Sequence, residues 1–301
     1  RKEATPMWLA GCCTTLLLSA RRAFGSQIFA QASASGGPAR LQRALDSVDP
    51  SGAPRVHLTF PQQLAGAQGG RPELASLMVM DSSFNPPTRA HMHLLTSSMQ
   101  RFGAGKALLL LAKQNADKAV VGASLVQRLQ MMELLAAADD TGRTCCGLTG
   151  HALFVDKAAA LQALCAPGAR VHMLVGFDTW IRITDPKYYG EGQMLSVLSG
   201  LFTSVDVVVA SRDPAAASNM PALSVAEQEA AVLSLPPAVA RGRLHFVETD
   251  AEVAQLSSSA VREALRAGGD AGAEGGGEGE GEGEGKLVST AWPSAVTGPP
   301  K

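Results

Sequence analysis

The stretch Leu77–Leu95, LMVMDSSFNPPTRAHMHLL, constrains the fold more than any other part of this chain. Four apolar residues, Leu77–Met80, read as a buried strand. Asp81, Ser82, Ser83 and the Pro86–Pro87 pair read as a tight turn, and the residues after them suit a helix. Proline is tolerated in the first helical turn, where its missing N–H would have had no partner, so the helix begins near Pro87 or Thr88. A strand that feeds a short loop and a helix N-terminus makes an anion site, because free backbone N–H groups and the positive end of the helix dipole point the same way. His91 lies one helical turn beyond Thr88, so both side chains can face an anion held there.

The rest of the chain repeats this alternation. Ala107–Leu111, Val171–Val175, Val205–Ala210 and Leu244–Val247 are further strand candidates. A helix starts at Ser124 and carries Leu125, Leu129, Met132 and Leu135 at helical spacing, and stretches near 156–165 and 224–235 are also helical. Strands alternating with helices predict an α/β fold, a Rossmann-like parallel sheet with helices on both faces and ligands at the carboxyl ends of the strands. The loops after Met80, Leu111 and Val175 then share one rim.

This domain is expected to span residues 73–267. Residues 1–45 form an N-terminal segment with two readings. Its Arg, Ser and Ala content and scarcity of acids resemble an organelle transit segment, whereas Leu17, Phe24, Ile28 and Phe29 suit one side of an amphipathic helix. The sequence opens on Arg1, so its natural start can lie upstream. Residues 46–72, rich in Pro, Gly and Gln, read as a loop. Residues 268–285 alternate Gly and Glu, a composition that opposes packing through backbone entropy and charge repulsion, and read as a disordered linker. Residues 286–301 are a C-terminal remnant with a short helix candidate at Leu287–Val296.

Charge and cysteines exclude several classes. The formal net charge is −1, but residues 268–285 hold six acids and no base, which leaves +5 on the remainder. A mildly basic body suits a phosphate-bearing small ligand and is too weak for a nucleic-acid surface, as is the low aromatic content. The five cysteines, Cys12–Cys13, Cys145–Cys146 and Cys165, match neither zinc spacing nor a disulfide framework and point to a reducing compartment, cytoplasmic or nuclear unless the N-terminal segment directs otherwise. No apolar run approaches the length of a membrane span. Oligomeric state is left open.

Three further pieces carry chemistry. In LLLLAKQNADK, Leu108–Lys118, a strand ends and Lys113 and Lys118 fall on the loop beside the anion site. In LVGFDTWIRITDPKYYG, Leu174–Gly190, a strand runs into Gly176, where a ligand can approach the backbone, and Asp178 can accept ribose hydroxyls. Trp180, Tyr188 and Tyr189 follow, each able either to pack or to stack on a flat heterocycle. In QLSSSAVREAL, Gln255–Leu265, Ser258 and Ser259 open a helix and Arg262 lies about one turn on, facing the same anion. Arg212, just past the strand ending at Ala210, is a weaker phosphate candidate. No Walker loop occurs, and His93, His151, His172 and His245 lack partners at ligand spacing and read as structural.

These pieces carry a resemblance. SFNPPTRAH resembles the (His/Thr)-x-x-His signature of the nucleotidyltransferase superfamily, and DSSFNPPT with NADK, Gly176-x-Asp178 and Ser-Ser-x-x-x-Arg is similar to the nicotinamide mononucleotide adenylyltransferases, in particular their fungal Pof-type branch. It covers roughly residues 77–266 and departs at Ala90, where the family usually has glycine. The resemblance implies ATP and nicotinamide mononucleotide (or its nicotinate analogue) as substrates, with Mg²⁺ bridging phosphate oxygens. It implies His91, Thr88, Lys118 and Arg262 as the groups that stabilise the reacting phosphates. Ser82, Ser83, Phe84, Gly176, Asp178, Trp180, Arg212, Ser258 and Ser259 then bind ATP or its co-substrate. Two alternatives stay open: nucleotidyl transfer to another phosphate acceptor, or an ATP-binding adaptor without useful catalysis, a reading that Ala90 motivates.

Overall fold

The computed structural model describes residues 37–61, 74–114, 122–214, 222–250, 258 and 261–262. The N-terminal segment up to residue 36, the Gly/Glu run and the C-terminal remnant lie outside these residues, as do Lys118 and Ser259.

Seven strands form one sheet. In chain order they are β1 (Val56–Phe60), β2 (Ser76–Asp81), β3 (Lys106–Ala112), β4 (Thr144–Thr149), β5 (Arg170–Gly176), β6 (Asp206–Ala210) and β7 (Leu244–Val247). Their spatial order is β1-β4-β3-β2-β5-β6-β7, with β1 antiparallel to β4 and every other pair parallel. From β2 the chain builds outward through β3 to β4, then returns to β2's other side and builds outward again through β5, β6 and β7. The reversal between β2 and β5 is the topological switch point where doubly wound sheets bind ligands.

The apolar runs explain why the sheet is covered twice. Leu77, Val79, Leu108, Leu110, Val171, Met173 and Val175 belong to one core, and Met78, Met80, Leu109, Leu111 and Leu174 to the other. Alternate side chains of a strand face opposite sides, so a strand apolar at every position must be buried on both. One face packs against α1 (Gly37–Ser47), α2 (Arg89–Phe102) and α3 (Leu125–Ala137) through Leu41, Leu45, Leu95, Met99, Leu129 and Met132. The other packs against α4 (Phe154–Leu164), α5 (Phe177–Ile183) and α6 (Met194–Ser204) through Ala158, Leu161, Phe177, Trp180, Leu198 and Leu201. Two further helices, α7 (Val225–Leu233) and α8 (Pro237–Ala240), join that second layer through Val232 and Ala240.

The structure corrects the reading of 46–72 as a loop, because Val56–Phe60 is a strand within it. It is an edge strand, short and antiparallel, and its partner β4 (TCCGLT) is buried throughout without an Ile/Leu/Val run to announce it. Neither half of that pair shows the apolar signal that marks the central strands. Helix α1 is fastened to this edge. The Arg40 guanidinium pairs with Glu133 of α3 at 2.5 Å and donates to the Thr59 carbonyl at 3.0 Å. Lys113, a loop lysine by sequence, donates to the carbonyls of Leu45 and Val48 at 2.8 and 2.9 Å and so caps the end of α1. Cys145, Cys146 and Cys165 are free and buried, and burial raises the Cys165 thiol to about 11.

Leu109 is inaccessible at the centre of the sheet. Leu109→Ala should lower unfolding free energy by about 2–5 kcal/mol, measured by chemical denaturation, through lost burial and the cavity left behind.

Candidate functional site

At the carboxyl end of β2 the regular ladder stops and polar groups begin. The Ser82 N–H still donates to the Leu110 carbonyl at 3.4 Å. Phe84 then takes φ +44°, an uncommon conformation for a residue with a side chain, and drives its fully buried ring into the core on the α2 face. That burial holds the turn over the strand end.

The turn's carbonyls are held from outside it. Arg128 of α3 donates to the Ser83 carbonyl at 3.2 Å and to the Ala123 carbonyl at 2.8 Å. Arg262 donates to the Asn85 carbonyl at 2.6 Å, and the Ser258 hydroxyl to the Pro86 carbonyl at 2.8 Å. The Ala123 N–H donates to the Asn85 side-chain oxygen at 3.2 Å. Gly122 makes that contact possible, since it sits at φ +86° and a Cβ there would come within 2.9 Å of the Asn85 amide. Burial, and then the charge of Arg262, push the Arg128 guanidinium below its usual value. Two arginines on one turn make its surroundings electropositive, as an anion site requires.

Thr88 is the N-cap of α2 and His91 its third residue. The Thr88 backbone N–H donates to His91 Nδ1 at 3.0 Å, and the Thr88 hydroxyl lies 2.8 Å from the same nitrogen. Nδ1 is therefore an acceptor, and the ring proton sits on Nε2, 3.4 Å from the Ser82 hydroxyl. Burial pushes the imidazole down to about 4. His91 is thus neutral near pH 7 and presents a fixed N–H, with its ring 5.3 Å from that of Phe84.

A cavity of about 800 Å³ opens over this strand end. Ser82, Ser83, Thr88, Ala90, His91 and Ser258 form its wall on the α2 side. Gly176, Asp178, Ser211, Arg212 and Thr249 form the wall over β5 and β6. Leu153, Phe154, Lys157, Tyr188, Tyr189 and Gln193 line the α4 side. Asp178 and Arg212 face each other at 3.4 Å, and the fully buried Gln228 holds the Arg212 backbone through both its N–H and its carbonyl, at 2.8 and 2.9 Å.

Most residues singled out by sequence thus converge on one cavity. Four do not line it. Trp180, only 2% exposed, and Phe84 are core residues, Arg262 lies against the turn rather than on the wall, and Lys113 caps α1. Lys118 and Ser259 fall outside the described residues. Sequence reading passed over Lys157 and Asp81, which form a buried ion pair on the cavity floor. A signal existed for Lys157: it shares a helix face, at i and i+4, with the inaccessible Leu161.

Among the described residues no group of three or more His, Cys, Asp or Glu could hold a metal, and no helix is long and apolar enough to cross a membrane.

Residues 79–264 match the cytidylyltransferase-like family model. A Schizosaccharomyces pombe protein named "Putative nicotinamide mononucleotide adenylyltransferase" is 40% identical over 137 residues. That match covers 46% of this chain and 53% of the yeast protein, about half of its length. Two solved structures are also similar, both of Plasmodium falciparum nicotinic acid mononucleotide adenylyltransferase. The one complexed with NaAD has 14% identity and a TM-score of 0.44, covering 62% of this chain and 82% of its own. The one complexed with APC has 12% identity and a TM-score of 0.43, covering 63% and 83%.

Gly176 supplies a steric probe of the cavity. A Cβ built on it would meet no protein atom within 4 Å, so the space beside it belongs to the cavity. Gly176→Ala should leave stability within about 0.5 kcal/mol, measured by chemical denaturation, because the added methyl meets open space.

Proposed function

The chain belongs to the cytidylyltransferase-like family, and from that premise we propose that it transfers the adenylyl group of ATP to nicotinamide mononucleotide, forming NAD and pyrophosphate. One observation carries the reading. A neutral His91, its tautomer fixed by Thr88, presents Nε2–H beside the Ser82 hydroxyl at the sheet's switch point. Helix N-terminus, hydroxyls and a fixed ring donor together suit phosphate rather than a metal or an apolar ligand. The name of the yeast relative supports the choice of acceptor.

The chemistry asks for no covalent intermediate. A phosphate oxygen of the mononucleotide attacks the α-phosphorus of ATP in line, the bond to the bridging oxygen breaks, and pyrophosphate leaves with the electron pair. No proton need move, which suits a histidine too acidic when protonated to serve as a general acid near neutrality. Catalysis then consists of positioning and charge stabilisation. His91 Nε2–H and the hydroxyls of Ser82 and Ser83 donate to phosphate oxygens, while Ser258, whose hydroxyl donates to the Pro86 carbonyl, holds the turn in place. Thr88 acts chiefly by fixing the His91 ring and by ending α2 at the site.

Arg262, which donates to the Asn85 carbonyl, holds the triphosphate together with Lys118 and Ser259 in this reading. Asp178 takes the ATP ribose beside Gly176, with Arg212 setting the carboxylate's direction. Of the aromatic candidates, Tyr188 and Tyr189 line the cavity and are placed to meet the flat ring of the acceptor, whereas Trp180 supports them from the core. The Tyr189 hydroxyl donates to the Ile183 carbonyl at 2.5 Å and so fixes that ring. Ala90 adds one methyl to the wall where related sequences have glycine, and it stands inside α2, where alanine is the better helix former. Mg²⁺ enters this reading with the substrate, as MgATP, since the ion is usually carried by substrate phosphates.

The test is product formation from MgATP and each mononucleotide, followed by chromatography, with His91→Ala alongside. The variant should lose about 2.7–4 kcal/mol of transition-state stabilisation, as other fixed donors to developing charge do, with a smaller change in ATP binding. Undiminished turnover in the variant contradicts the role of His91. ATP binding without product from either acceptor contradicts the reaction.

A further inference from the structure

Lys157 is a charged residue with no part in the reaction as described so far. It is 4% exposed, it lines the cavity, and its ammonium pairs with Asp81 at the last position of β2. The side chain also lies over the Phe154 ring, 4.6 Å from its centroid. An ammonium has three N–H donors, and among the described residues Asp81 is the one acceptor on Nζ. Buried donors are ordinarily satisfied, so a cation on a cavity wall with unused donors calls for an anion inside the cavity.

Strand parity says which part of the cavity this is. Leu77 and Val79 face the α4 side, and Asp81 continues their register. Met78 and Met80 face the α2 side, and Ser82, which touches His91, continues theirs. The end of β2 therefore separates two polar groups that share one cavity. The group on the α2 side, with Gly176 and Arg212 beyond it, is the part assigned above to ATP. The aromatic part on the α4 side is left for the second substrate, and Lys157 stands at the boundary between them.

Resting on the adenylyl-transfer reading, the geometry points to Lys157 as the residue that binds the 5′-phosphate of the acceptor. Two anions must meet in this reaction, an attacking monoester and a triphosphate, and their repulsion has to be offset where they meet. A lysine across β2 from His91 offsets it from the acceptor's side. Asp81 keeps the ammonium aimed when the cavity is empty, and a phosphate takes the donors that Asp81 leaves.

The test compares binding of nicotinamide mononucleotide and of nicotinamide riboside, its dephosphorylated form, by calorimetry with and without MgATP. Three proteins are needed: wild type, Asp81→Asn, and the double variant Asp81→Asn/Lys157→Met. The double variant removes both charges together at similar volume, so it avoids stranding one buried charge. Wild type should favour the mononucleotide over the riboside by about ten- to hundredfold, the range for one charged hydrogen bond. Asp81→Asn should keep that preference and the double variant should lose it, with ATP affinity moving less than about threefold, well inside the tenfold worth of 1.4 kcal/mol. A purely structural ion pair would make the two variants behave alike. A double variant that keeps the wild-type preference overturns the assignment and leaves the reaction standing. Wild type that binds MgATP but neither ligand overturns the reaction and this assignment with it.

Discussion

Strand β2 is hydrogen-bonded on both sides, with Met80 opposite Leu109 of β3 and Leu174 of β5, and it is apolar on both faces. A strand in that position has no free main-chain group and no exposed side chain along its length. Polar chemistry can begin only where it stops, and it stops at the point where the sheet's winding reverses. Asp81 and Ser82 therefore leave the same strand end in opposite directions, one toward Lys157 and one toward His91. The cavity and its division into two sides both follow from the pairing of this one strand.

The electrostatics of the site are set by burial. His91 is pushed down to about 4 because its charged form would lose water on every side, while the Thr88 N–H occupies Nδ1. The result is a donor whose charge state does not respond to ordinary pH, placed at the carboxyl end of β2. The positive charges are arranged differently. Arg128 and Arg262 grip the carbonyls of Ser83 and Asn85, so they shape the turn as well as raise the local potential. Phe84 completes the arrangement by burying its ring beneath the turn at a strained backbone angle, a conformation the surrounding contacts must hold in place.

How much of this could be read from sequence depended on whether the signal was local. Four internal strands and the edge strand β7 stood out as apolar runs, and the helix expected from Ser124 is α3, where the Gln127 N–H donates to the Ser124 hydroxyl at 3.3 Å. The β1–β4 pairing was invisible: VHLTF and TCCGLT lack long apolar runs, and their partnership is set by tertiary contact. The strand–turn–helix at Leu77–Leu95 was legible because its three parts are contiguous in the chain. Lys157 lies 76 residues from Asp81, and only the crossover from β4 back across the sheet brings them together. Trp180 shows the reverse. It sits inside a motif rich in candidate ligands, yet α5 turns it into the core, where its size fills space between sheet and helices.

The state of the His91 ring tests the central claim most directly. Nitrogen-15 NMR of histidine-labelled protein distinguishes the two neutral tautomers from the imidazolium. The account predicts a bare Nδ1 and a protonated Nε2 that persist from neutral pH down to about pH 5, given a pKa pushed to about 4, with a shift of the Nε2–H resonance when MgATP is added. An imidazolium at neutral pH, a proton on Nδ1, or an Nε2–H resonance indifferent to MgATP would contradict it.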